Sequence, residues 1–275
     1  MSLFVASLNS GSNGNCYYVG NDAEAILVDG GISCRETEKR MKRLGLSIRK
    51  VKAIFVSHEH GDHIHGVPTL SKKFQIPVYI TPKTLNQGKL NITPHLIASF
   101  TAFSPVTVGS LTVTPFPKKH DASDPHSFVV EGNHVRVGIF TDIGHPCEHV
   151  TRHFNLCHAA FLESNYDEGM LLAGSYPYNL KNRIRGDHGH LSNEQAAELF
   201  RQHKPAFMSH LFLSHLSQDN NHPKIAGDLF RKIAGNTQII VASRHKETKL
   251  FHIRNSARLR PRQNISVTSQ LSLFA

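Results

Sequence analysis

The sequence predicts an α/β fold whose sheets are at least partly parallel. Near the N-terminus, short apolar runs are separated by turn residues, the pattern of strands joined as hairpins. From residue 34 onward, helical and extended patterns alternate, and a strand-helix-strand order places successive strands side by side in the same direction. The chain of 275 residues, 39% of them hydrophobic, suffices for one large domain with a buried core, although two small domains would also fit.

Residues 3–8, 16–19 and 25–28 read as the first three strands. Between the first two lies Asn9-Ser10-Gly11-Ser12-Asn13-Gly14-Asn15. This loop of small hydrogen-bonding groups suits either backbone amides offered to a phosphate or an ordinary polar turn. Ser33 with Glu36 forms a capping box for a helix over 34–44 that stops at Gly45. Its basic residues Arg35, Lys39, Arg40, Lys42 and Arg43 read as a solvated face. An apolar strand at 51–56, a helix from about Gly66 to Phe74 and a strand at 78–81 follow. Residues 99–117 return to β alternation, and 127–131 and 134–140 make a hairpin through Gly132-Asn133. Ser192 and Gln195 form a second capping box. The run from Phe207 is a strand ending before His215, and 238–242 with 249–253 read as a last hairpin. One folded domain is therefore expected over 1–254 and a tail over 255–275.

Between the strand at 51–56 and the helix that follows stands Ser57-His58-Glu59-His60-Gly61-Asp62-His63. His58 and His60 are two residues apart, so in an extended segment they point the same way, and a turn at Gly61 would bring Asp62 and His63 to a neighbouring position. Imidazoles with a carboxylate suit Zn, Mn or Fe, and two such ions side by side can clamp a displaced phosphate or carbonyl.

This His-x-His-x-Asp-His segment resembles the signature of the metallo-β-lactamase superfamily, which implies an αββα sandwich of two mixed sheets flanked by helices. The resemblance assigns His58, His60 and His120 to one metal ion, Asp62, His63 and His215 to a second, and Asp142 to a bridge between them. Asp29 would support the centre from behind its ligands. His188, His190 and His210 compete with His215 for the last place; the context at the end of the strand favours His215.

Glu163 and His190 resemble the acidic and histidine motifs of the superfamily's phosphodiesterase branch, in which the Glu orients a His that meets the scissile phosphate or protonates the leaving oxygen. Three stretches, Leu8 to Cys16, Gly174 to Asn193 and His215 to Asn221, are similar to the WalJ/YycJ family of bacterial phosphodiesterases. That similarity implies a 5′-to-3′ DNA exonuclease with two divalent metal ions (Zn or Mn; Fe is admissible), catalytic His190, Glu163 and Asp62, and nucleic-acid contacts at Lys181, Arg183, Arg185, Tyr176 and Tyr178. RNA remains an alternative substrate. The competing readings are a small-molecule phosphodiesterase of the same fold and a non-catalytic DNA-binding regulator.

A formal net charge of +10 favours polyanionic partners. Four cysteines without a CxxC pair fit a reducing compartment, so a cytoplasmic location is expected. No apolar run is long enough to cross a membrane, and the N-terminus lacks the basic start of a signal peptide. In the tail, Gln270, Leu271, Leu273 and Phe274 resemble the peptide by which replication factors dock on the sliding clamp; a tail folded back on the domain is the alternative.

Overall fold

The computed structural model describes residues 2–255. The N-terminal half supplies β1 (Leu3–Asn9), β2 (Cys16–Gly20), β3 (Ala25–Val28), β4 (Val51–Phe55), β5 (Val78–Tyr79) and β6 (Ile97–Ala98). The C-terminal half supplies β7 (Val106–Val108), β8 (Leu111–Pro117), β9 (His126–Gly132), β10 (Val135–Phe140), β11 (Ala159–Glu163), β12 (His210–Ser214) and β13 (Gln238–Val241). A last strand, β14 (Phe251–Ile253), returns to the first sheet and pairs with β1. The two seven-stranded sheets run β14-β1-β2-β3-β4-β5-β6 and β13-β12-β11-β10-β9-β8-β7.

Strand alternation explains the layers. On β9, Phe128 and Val130 face the first sheet's Val5, Tyr17, Val28 and Phe55, while Val129 faces the helices outside. The outer face of the first sheet is covered by α1 (Cys34–Arg43), α3 (Val67–Phe74) and α4 (Pro82–Gln87), with α2 (Gly61–Ile64) a single turn before α3. Helices α5 (Glu148–Phe154), α8 (Asn193–His203) and α9 (Pro223–Arg231) cover the second sheet, and the short α6 (Glu168–Ala173) and α7 (Tyr178–Arg185) lie between β11 and α8. This is the αββα sandwich. Both capping serines close their helices: Ser192 and Gln195 exchange bonds reciprocally, whereas at α1 Ser33 accepts from the Glu36 amide and the Glu36 carboxylate goes to Arg40.

Four expectations change. Residues 238–242 and 249–253 are not a hairpin: β13 joins β12 in the second sheet and β14 joins β1 in the first, so the segment between them crosses from sheet to sheet. Arg40 is buried, not solvated, because its guanidinium donates to the Leu8 carbonyl (2.8 Å), Asn9 Oδ1 (2.6 Å) and the His245 carbonyl (3.2 Å). The β9-β10 turn is made by Asn133 and His134, both left-handed, one residue later than expected. Between Ser99 and Pro105 no strand forms, and regular pairing begins at Val106.

Candidate metal centre

Strands β3, β4, β10, β11 and β12 end at one edge of the sandwich, and the polar residues that follow them meet there. Asp29, Asp142 and His215 each sit just beyond a parallel strand with φ of 60°, 55° and 56°. A left-handed backbone costs a non-glycine residue about 1–3 kcal/mol and persists where its surroundings hold it. The Asp29 amide donates to the Phe55 carbonyl (2.8 Å), and the His215 amide to Ser10 Oγ (2.7 Å). His60 caps α2, which carries Asp62 and His63. That turn is fastened from below: the Asn15 amide donates to the Asp62 carbonyl (2.7 Å) and the Gly30 amide to the His63 carbonyl (2.8 Å).

Hydrogen bonds on the far side of each ring fix its tautomer. His63 Nδ1 donates to Asp29 Oδ2 (2.7 Å), His120 Nδ1 to the Gly189 carbonyl (3.0 Å) and His215 Nδ1 to Glu163 Oε1 (3.0 Å). His58 Nδ1 meets Ser57 Oγ at 2.9 Å, and that hydroxyl donates onward to Asp29 Oδ2 (2.9 Å). Each ring therefore turns an Nε2 lone pair inward, the arrangement that metal-ligating histidines adopt. His58 Nε2 and His120 Nε2 converge on His60 Nδ1 at 3.1 and 3.3 Å.

Asp142 lies at the middle. Its Oδ1 is 3.5 Å from His215 Nε2, and its Oδ2 is 3.2 Å from His63 Nε2 but buried without an aligned hydrogen bond. Inward lone pairs around a buried carboxylate oxygen without a donor are the chemistry of a cation site. The donors form the triads His58/His60/His120, Asp62/His63/His215 and His58/His63/Asp142. They suit divalent metal ions.

Without a cation the carboxylates act on the rings. Burial disfavours a charged His215, yet Asp142, Asp62 and Glu163 together raise its pKa to about 10. Burial pushes His120 down to about 4. Burial also opposes an ionised Glu163, but His190 and the hydrogen bonds from both rings hold it at about 2.

The centre opens into a cleft of about 260 Å³ lined by His60, Asp62, Asp142, His190 and His215 on one side and by Ser12, Tyr176 and Arg183 among others at its mouth. His190 Nδ1 donates to Glu163 Oε1 (2.8 Å), the same oxygen that holds His215. Of the expected nucleic-acid contacts, only Tyr176 and Arg183 line the cleft. Arg183 is paired with Asp121 (2.5 Å), Tyr176 donates to Asp219 Oδ2 (2.8 Å), Lys181 donates to the Leu172 carbonyl (2.7 Å) and Arg185 pairs with Glu168 (2.6 Å). Tyr178 is exposed. His188 is exposed, and His210, half-buried on β12, bonds Ser209 Oγ.

Sequence reasoning missed Asn15, Ser57, Asn165 and Lys118. Asn15 Nδ2 reaches Asp62 Oδ2 (3.1 Å) and Asn165 Nδ2 donates to the His215 carbonyl (2.8 Å). Buried Lys118 donates to the Thr141 carbonyl beside Asp142 (2.7 Å). Only Ser57, next to His58, carried a positional signal.

The model of the beta-lactamase superfamily domain matches residues 24–215. The chain belongs to the β-lactamase superfamily. It is 36% identical over 234 residues to exodeoxyribonuclease YycJ of Bacillus anthracis, covering 82% of this chain and 87% of that one. It is 30% identical over 226 residues to exodeoxyribonuclease WalJ of Streptococcus pneumoniae, covering 80% and 83%. The superfamily fold is seen also in YhfI from Bacillus subtilis, which superimposes with a TM-score of 0.70 at 15% identity over 92% of this chain and all of that one (100%). Among the described residues no helix is long and apolar enough to cross a membrane. Gln270, Leu271, Leu273 and Phe274 lie outside the described residues.

Proposed function

We propose that the protein is a two-metal phosphodiesterase that degrades DNA exonucleolytically from the 5′ end. The observation that carries the reading is Glu163: one buried carboxylate oxygen fastens both His215, in the donor set, and His190, at the cleft wall. The names and extent of the YycJ and WalJ relatives support DNA as substrate. In this reading His58, His60 and His120 would hold one ion, Asp62, His63 and His215 would hold a second, and Asp142 would serve both; Zn and Mn suit the donors, and Fe is admissible. When bound, the ions supply Lewis-acid charge to the phosphoryl oxygens and an activated water. Glu163 fixes the His190 ring by Nδ1, leaving Nε2 to protonate the departing 3′ oxygen. Asp62, at the cleft surface, accepts a proton from the attacking water.

Digestion of 5′-labelled and 3′-labelled duplex DNA and matched RNA with Mn²⁺ or Zn²⁺ tests this. Stepwise loss from the 5′ end of DNA, abolished by His190→Ala and by Asp142→Ala, is expected. The small cleft also favours a second reading, a phosphodiesterase for cyclic or nucleotide phosphates. Hydrolysis of bis(p-nitrophenyl) phosphate without cleavage of any polymer would establish that reading instead.

From the sequence we also propose a catalytic domain over 1–254 and a clamp-docking peptide at Gln270, Leu271, Leu273 and Phe274. Deleting 270–275 is expected to abolish binding to a sliding clamp while leaving diester hydrolysis intact; unchanged clamp binding would remove the docking claim.

A further inference from the structure

At the mouth of the cleft the loop Ser10 to Asn15 meets the segment that crosses between the sheets. The Ser10 amide donates to the Ser243 carbonyl (3.2 Å) and Asn13 Nδ2 to the Arg244 carbonyl (2.9 Å). A tight turn closes the loop, the Gly14 amide donating to the Gly11 carbonyl (2.9 Å). Gly11 stands at φ 140°, where a side chain would also press on Arg244 Cβ (3.3 Å), so the loop lies directly against Arg244. Within this turn the amides of the exposed Ser12 and Asn13 donate to no group among the described residues.

Among the described residues, Arg244 is a cation without an anion. It is half-buried, its Nη1 is buried with no acceptor, and no carboxylate pairs with it among the described residues. Asp219 is taken by the Tyr176 hydroxyl. That bond is the chief cause of the raised pKa of Tyr176, a cleft-lining phenol, and the Arg244 charge opposes the rise. A buried guanidinium N–H without a partner is rare enough to need a reason. An arginine beside a glycine-bounded turn with two unpaired amides suits a phosphate.

We propose that Arg244, the Ser12 and Asn13 amides and the Ser12 hydroxyl form a subsite for the 5′-terminal phosphate of the DNA strand, one nucleotide upstream of the phosphate held at the metal centre. This rests on the exonuclease reading and adds what that reading lacks, a means of recognising the end. Ser12 and the donor residues line the same cleft of about 260 Å³, so the two phosphates belong to one terminal nucleotide. Cleavage between phosphorus and the 3′ oxygen releases that nucleotide and leaves the next residue with a 5′-phosphate. Every cut thus creates the end the subsite binds.

The test compares identical duplexes with 5′-phosphate and 5′-hydroxyl ends, followed nucleotide by nucleotide. The natural protein is expected to remove the first residue of the 5′-hydroxyl strand about tenfold more slowly, then to proceed at the rate of the phosphorylated strand. Arg244→Gln is expected to erase the difference by slowing every step to the rate of that first one. Ser12→Asp, at an exposed position that carries no risk to folding, should reduce the preference by repulsion. Equal first-step rates on both ends by the natural protein would overturn the subsite while leaving the exonuclease standing, as would a preference that survives both substitutions. No cleavage of either DNA, with the small diester still hydrolysed, would overturn the exonuclease reading and the subsite with it.

Discussion

Glu163 Oε1 receives the Nδ1 protons of both His190 and His215, at 2.8 and 3.0 Å, while Oε2 accepts from the Ile143 amide at 2.7 Å. Glu163→Gln keeps the volume but loses the charge and one acceptor, so both rings lose their anchor. Steady-state kinetics and metal analysis should show kcat down by about 100-fold and metal affinity down by about 10-fold or more; a normal rate would mean that the carboxylate does not orient His190. The metal-free centre also has a pH signature. His215, raised from 6.5 to about 10, stabilises the fold fully below pH 6.5, and that contribution is lost as pH rises toward 10. His120, lowered from 6.5 to about 4, contributes fully above pH 6.5 and loses its share as pH falls toward 4. Thermal unfolding of chelator-treated protein across pH 4–10 should therefore peak between these limits, and a flat profile would contradict the coupling. At this scale the motif His58 to His63 was readable because its residues are close in sequence. Asn15, Asn165 and Lys118 were not, because a lone polar residue acquires its role only from a neighbour brought in by the fold.

The turn carrying Asp62 and His63 rests on glycine. A Cβ on Gly31 would stand 1.6 Å from the Asp62 carbonyl oxygen, so Gly31→Ala must push that turn away from Asp142 and His215. Calorimetry should find about 1–3 kcal/mol of lost stability, accompanied by weaker metal retention; a stable, fully loaded variant would show that α2 shifts without consequence. Strands and helices with clear alternation or caps were legible as elements, but their partners were less so. Residues 238–242 and 249–253 have hairpin-like spacing, yet which sheet edge each joins depends on β12 and β1 being free to receive it. Arg40 looked like one more lysine-like surface charge on α1, and only the carbonyls of Leu8 and His245 meeting over it explain its burial.

Seen whole, the two sheets repeat one plan: three antiparallel pairings followed by three parallel ones in each, from β14 to β6 and from β7 to β13. Asp29 after β3 and Asp142 after β10 occupy matching places, both left-handed. The metal centre thus lies where the two halves meet, and ions bound there should tie them together. Adding Mn²⁺ or Zn²⁺ at 100 times its dissociation constant to stripped protein should stabilise it by about 2.7 kcal/mol per site, read as a rise in Tm, with hydrolysis restored in parallel. Activity that withstands exhaustive chelation would refute the metal requirement.

Closure of the first sheet has a consequence for synthesis. Leu3 pairs with Ile253, so one of the earliest strands to leave the ribosome waits for one of the last described before its edge is covered. The loop at 9–15 likewise awaits Ser243, whose carbonyl accepts from the Ser10 amide, whereas Ser10 is already in place to receive the His215 amide. A chain still being translated therefore keeps one edge of the first sheet open, and this loop unfastened beside the cleft, until the last described strand emerges.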